Sequence, residues 1–70
     1  MRVQATIVRY FPMCGFGFCR PDGSKLSNVF VHISDAGVLA LHEGDRIECE
    51  IDSTERGLKA VRVKVLSFAG

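Results

Sequence analysis

Near its C-terminal end the chain reads Lys59-Ala60-Val61-Arg62-Val63-Lys64-Val65, with β-branched apolar and cationic side chains taking turns. Successive side chains of a β-strand point to opposite faces, so Val61, Val63 and Val65 are predicted inward and Arg62 and Lys64 outward. Arg46-Ile47-Glu48-Cys49-Glu50-Ile51 repeats the pattern, with Ile47, Cys49 and Ile51 on the inner side. Three earlier stretches also read as strands. They are Gln4 to Phe11, a short run from Gly15 through Phe18 or Cys19, and Asn28 to Ile33. Pro12, Pro21-Asp22-Gly23-Ser24, His42-Glu43-Gly44-Asp45 and Asp52 to Gly57 punctuate them as turns. Ser34 to Leu41 reads as a loop with at most one helical turn, for which Ser34-Asp35 is the candidate cap. Five short strands and no clear helix predict an all-β domain over residues 1–70, a small antiparallel barrel or sandwich. Closure removes the exposed edges that so small a sheet would otherwise carry. Val8, Val29, Val31, Ile47, Ile51, Val61 and Val63 are the predicted interior, with Cys19 and Cys49 also facing in.

Cys14-Gly15-Phe16-Gly17-Phe18-Cys19 carries the functional signal. Phe16 and Phe18 share one face of a strand, and the glycines take the other. In the third strand Val29, Val31 and Ile33 are the natural core side, which turns Phe30 and His32 outward. In an ordinary protein, Phe-Gly-Phe in a strand packs into the core. Two strands that each turn aromatic rings to solvent make a platform on which flat bases stack.

Composition narrows the rest. No apolar run is long enough to span a bilayer, and Met1-Arg2 does not lead into the apolar core of a signal peptide. The three cysteines, an odd number, fit a reducing compartment better than a disulfide framework. A cytoplasmic location and no membrane association are expected. The net charge of +1 is too small for a binder that holds duplex DNA by its phosphates alone. Stacking on single strands would have to carry much of any nucleic-acid affinity. Cys14, Cys19 and His32 are imaginable metal ligands, but Cys14 and Cys19 fall on opposite faces of one strand and no Cys-x-x-Cys pair exists. No metal and no cofactor is expected. His32 has no nucleophile or orienting carboxylate at motif spacing, so no enzyme activity is expected either. Arg56, Lys59, Arg62 and Lys64 read as an ordinary solvated face.

Taken together the motifs resemble the cold-shock domain family. Cys14 to Cys19 looks like the family's first RNA-binding motif, Lys-Gly-Phe-Gly-Phe-Ile. Val29-Phe30-Val31-His32-Ile33 looks like its second, Val-Phe-Val-His-Phe. Val8-Arg9-Tyr10-Phe11-Pro12 resembles the entry strand Val-Lys-Trp-Phe-Asn, and Glu43-Gly44-Asp45 resembles the Glu-Gly-Gln before strand four. The resemblance covers nearly the whole chain, in order. It implies a five-stranded OB-like barrel that binds single-stranded RNA and DNA, as an RNA chaperone or a transcription antiterminator. It also implies a binding surface made of Arg9, Tyr10, Phe11, Phe16, Phe18, Phe30 and His32, with Lys59 near the family's last binding loop. Tyr10 and Phe11 are adjacent and point oppositely in a regular strand, so both reach that surface only through a bend or bulge.

The chain departs from the family pattern in ways that imply a weaker or differently tuned binder. Tyr10 stands for tryptophan, Cys14 for lysine, Ile33 for phenylalanine and Pro12 for asparagine. The first hairpin is one residue shorter, and the loop from His32 to Gly44 is shorter and lacks an aromatic. A rival reading uses the same patch as a protein-interaction module, for a peptide or a second copy. The interleaving of Arg9 and His32 with the rings suits phosphates and bases better than a dry interface. A monomer is expected, with a strand-swapped dimer as the alternative.

Overall fold

The computed structural model describes residues 2–69. Five strands form: β1 (Arg2–Phe11), β2 (Phe16–Pro21), β3 (Val29–His32), β4 (Arg46–Thr54) and β5 (Gly57–Ser67). They close into a barrel in the order β1-β2-β3-β5-β4. β1 is the hub, pairing antiparallel with both β2 and β4. The β2–β3 and β4–β5 pairs are antiparallel too. Closure comes from one short parallel bridge, Phe30 opposite Lys59, between β3 and β5. A single 3₁₀ turn, Ile33–Asp35, follows β3, and no α-helix occurs among the described residues. The strands run further than their alternation shows. β2 continues to Pro21, because the Pro21 position still faces Ala5 of β1.

The barrel interior holds Ala5, Ile7, Cys19, Val29, Val31, Leu41, Ile47, Cys49, Ala60 and Val63. Ile51 packs at its margin. Two predicted interior residues are not there. Val8 is only half-buried, because the β1–β2 register steps from Ile7 opposite Cys19 to Arg9 opposite Phe18. Val8 is the extra residue of a β-bulge, and a bulge reverses the alternation beyond it. Val61 is half-buried for the same reason. The β4–β5 register steps from Glu48 opposite Lys64 to Glu50 opposite Val61, and Arg62 sits at φ 49° within that bulge. Ala60 and Val63 therefore face in and Val61 does not. The Arg62 guanidinium forks onto Glu50 at 2.9 and 3.1 Å, and its carbonyl accepts from Arg2 at 2.9 Å. These contacts offset the cost of a left-handed arginine.

Sequence reading also left the barrel's end unassigned. Leu41, read as loop, is buried and plugs it. Asp45, read as a turn residue, has no exposed surface. Its Oδ2 accepts the His42 N–H at 2.9 Å and its Oδ1 accepts the Ala69 N–H at 2.7 Å. One side chain thus ties the turn before β4 to the C-terminal segment. Asp45→Ala removes the acceptor of both part-buried bonds and is expected to cost about 1–2 kcal/mol in chemical denaturation. Unchanged stability would mean that water replaces the side chain freely.

On the outer wall Arg46 grips Asp22 through two 2.7 Å bonds. That fork and its charge hold the Asp22 carboxyl below the ordinary carboxylate range. A depressed carboxyl stabilises the fold above its unfolded pKa, and the contribution fades as pH falls through the folded value. Asp22→Asn is therefore expected to flatten the acid side of the stability-versus-pH curve and to leave its shape above neutrality unchanged. The pair is exposed, so the effect is expected to be small and to shrink in salt.

Candidate nucleic-acid interface

Strand register assembles the outer face of β1–β2–β3 into two cross-strand rows. Residues opposite one another on neighbouring strands point to the same side. Phe11 faces Phe16, and Phe16 faces His32, which makes one row. Arg9 faces Phe18, Phe18 faces Phe30, and Phe30 faces Lys59, which makes the second. The Val8 bulge is what brings β1 into this arrangement. Without it, Arg9 and Phe11 would point inward with Ile7.

The rings touch in a continuous sheet. Phe16 lies 5.5 Å from Phe11 and 5.4 Å from Phe30, between ring centroids. Phe18 lies 6.5 Å from Phe11, 6.3 Å from Phe16 and 6.2 Å from Phe30, edge-on in each case. His32 extends the sheet 6.5 Å beyond Phe30. All five rings are half-buried. They lean on one another and keep part of their surface in water. The Arg9 guanidinium carbon sits 5.6 Å from the centre of the Phe11 ring, held by cation–π attraction.

Glycine makes this packing possible. A Cβ on Gly17 would collide with the Arg9 carbonyl oxygen and sit 2.9 Å from the Tyr10 Cα. The close approach of β2 to β1 at this point needs a residue without a side chain. Gly15, at φ 75°, closes the Pro12–Gly15 turn, and its N–H and that of Cys14 both donate to the Phe11 carbonyl, at 2.9 and 3.0 Å.

Seven of the eight residues expected at the surface lie along these two rows. Tyr10 does not. It pairs with Gly17, on the side opposite Phe11 and Phe16, and packs against the core. A bulge is present, but it falls before Arg9, so Tyr10 and Phe11 still alternate. Lys59 ends its row, but its Nζ lies 3.6 Å from Asp35 Oδ2, so it is already partnered by a carboxylate. Arg9 has no carboxylate partner among the described ion pairs.

Four residues escaped the sequence reading as site residues. Asn28, Thr54, Arg56 and Leu58 join Phe18, Phe30 and Lys59 around a groove of about 240 Å³ at the end of the second row. Arg56 stands at the turn of the β4–β5 hairpin, and only the parallel β3–β5 bridge brings that turn beside Phe30. No strand pattern foretells that bridge.

Cys19 and Cys49 lie in the core, Cys14 is exposed on the turn, and no cluster of metal-ligating side chains occurs among the described residues. The hydrogen bond with the Cys49 thiol, together with burial, pushes the Cys19 thiol above the ordinary thiol range. No described helix is long and apolar enough to cross a membrane.

The family described as the 'Cold-shock' DNA-binding domain matches residues 4–66. Cold shock-like protein CspC of Shigella flexneri is 45% identical over 56 residues, covering 74% of this chain and 78% of that protein. Cold shock-like protein CspC of Buchnera aphidicola is 47% identical over 53 residues, covering 70% and 74%. Among solved structures, drosophila Unr CSD456 superposes with a TM-score of 0.76 at 28% identity, covering 94% of this chain and 27% of that one.

Proposed function

This chain belongs to the cold-shock domain family, and from that premise we propose that it binds single-stranded RNA and DNA by stacking bases on the Phe11–Phe16–Phe18–Phe30–His32 face. The observation that carries the reading is the pair of cross-strand rows, which offers partly exposed rings in contact and places a cation at each end of the second row. Bases stack on such rings whatever their identity, and each stacked base contributes about 1–3 kcal/mol. A duplex hides its base faces, so the surface favours open strands. Holding strands open in this way is the act of an RNA chaperone or an antiterminator in the cytoplasm, and a monomer suffices for it. The family is a binding family, and the face holds rings and cations rather than a nucleophile with its base, so no reaction is assigned.

The chain has no tryptophan, so the test uses labelled strands rather than intrinsic fluorescence. Fluorescein-labelled oligo-dT and oligo-rU are titrated against a matched duplex by anisotropy. Clear preference for both single strands supports the reading. Equal or stronger duplex binding, or no binding while a peptide or a second copy of the chain is captured, contradicts it.

Salt dependence follows from the charges at the face. Arg9, Lys59 and Arg56 can neutralise about two or three phosphates, and Lys59 must leave Asp35 to do so. The slope of log affinity against log salt on a single strand is then expected between about −1.4 and −2. A slope near −4, about six phosphates, would show that charge and not stacking dominates.

A further inference from the structure

His32 is held by a feature its place in the ring sheet does not require. Its Nδ1 accepts the backbone N–H of Ser34 at 3.1 Å, capping the 3₁₀ turn, and lies 2.8 Å from the Ser34 hydroxyl. A backbone N–H can only donate, so Nδ1 must present its lone pair. The proton of the neutral ring is therefore on Nε2; the hydrogen-bond network assigns the tautomer. Nε2 has no protein partner among the described residues, and no buried side-chain nitrogen or oxygen lacks one. Nε2–H is accordingly open to solvent. Gly15 leaves space on that side, since a Cβ there would stand in van der Waals contact with Nε2, at 3.9 Å.

The geometry points to Ser34 as a positioning residue that fixes His32 as a one-way hydrogen-bond donor, aiming Nε2–H at an oxygen acceptor of the bound strand. This rests on the single-strand reading and adds a polar requirement to it. Stacking alone tolerates any flat ring at position 32. A locked donor demands an acceptor beside the ring that stacks there, either a base carbonyl or a phosphate oxygen.

The tautomer is tested first on the free protein, by long-range proton–nitrogen correlation of the imidazole above its titration range. The Nε2–H pattern is expected. A dominant Nδ1–H form or an even mixture overturns the proposal, whatever the protein binds. The second test compares His32→Phe, which keeps a ring, with His32→Asn, whose side-chain oxygen can still cap Ser34. Both lack the donor at Nε2. His32→Phe is expected to lose about five-fold in oligo-dT affinity, the scale of one ordinary hydrogen bond. His32→Asn, near wild type in melting, is expected to lose at least as much because the ring is gone too. Wild-type affinity in His32→Phe overturns the proposal, while the stacking reading stands if Phe16→Ala still weakens binding. Repeating the His32→Phe comparison on a strand with abasic sites identifies the acceptor. The loss vanishes there if the acceptor is a base carbonyl and persists if it is a phosphate oxygen.

Discussion

Gly17→Ala is expected to unfold at a much lower temperature than the parent protein. The added methyl meets the Arg9 carbonyl oxygen and the Tyr10 Cα, both backbone atoms that cannot swing aside. Strands β1 and β2 would have to separate at their closest point, beside the bulge that sets the register of the ring face. Overpacking a tight site costs about 1–3 kcal/mol when side chains can adjust, and more when only backbone can move. A loss of about 3 kcal/mol or more is expected, roughly 12 °C or more in a domain of this size. Gly23→Ala is the control. A Cβ there meets nothing within 4 Å, although φ is +77°. Its cost should stay near the roughly 1–2 kcal/mol of a left-handed alanine. Equal melting losses for the two variants would show that β1 and β2 part at little cost to admit the methyl, and that close approach does not fix glycine at position 17. Any folded Gly17→Ala is also expected to bind single strands less well, because Arg9 and Phe11 move with β1.

Much of this fold is legible in residue order, and the exceptions share a cause. Val29 and Val31 face inward as alternation requires because β2–β3 is regular there, and Ile47 and Cys49 do so because the extra residues of the β4–β5 pair fall on β5 while β4 stays in register with β1. Val8 and Val61 do not, because each lies at a bulge. A bulge adds one residue to one strand, which leaves composition unchanged and reverses every later side chain until the next irregularity. The same reversal decided the site. Phe16, Phe18, Phe30 and His32 lie on strands without a register shift between them, and their common face follows from spacing alone. Phe11 and Arg9 reach that face only through the Val8 bulge, and Tyr10 is turned away by the same step. Asp45 and Leu41 were hidden for a different reason. Their burial depends on contacts between a loop, a barrel end and the C-terminal segment, which are distant in sequence and follow no period. The groove at Arg56 depends likewise on the parallel β3–β5 closure.

On the proposed reading, the phenylalanines serve binding more than folding. Each ring is half-buried, and much of what it touches is another ring of the same face. Removing one forfeits aromatic contacts which, on a face already half wet, lie at the low end of about 0.5–1.5 kcal/mol each. It opens no closed cavity, because the outer side of the ring is already wet. The stability cost of Phe→Ala is therefore expected to stay well below the roughly 3–5 kcal/mol of a phenylalanine in a sealed core. The cost in binding is different in kind. A base that loses its ring loses about 1–3 kcal/mol of stacking, or roughly 5- to 150-fold in affinity. Phe16 and Phe30 stand in closest ring contact and should show the larger losses, with Phe18, edge-on to its neighbours, somewhat less.

Melting temperature and labelled oligo-dT affinity, measured together on Phe16→Ala, Phe18→Ala and Phe30→Ala, test this most directly. The expected result is at least a five-fold loss of affinity in each variant, with a melting loss of at most about 2 kcal/mol. Losses of about 3–5 kcal/mol in stability with affinity unchanged in the folded fraction would contradict it and return the three rings to the core.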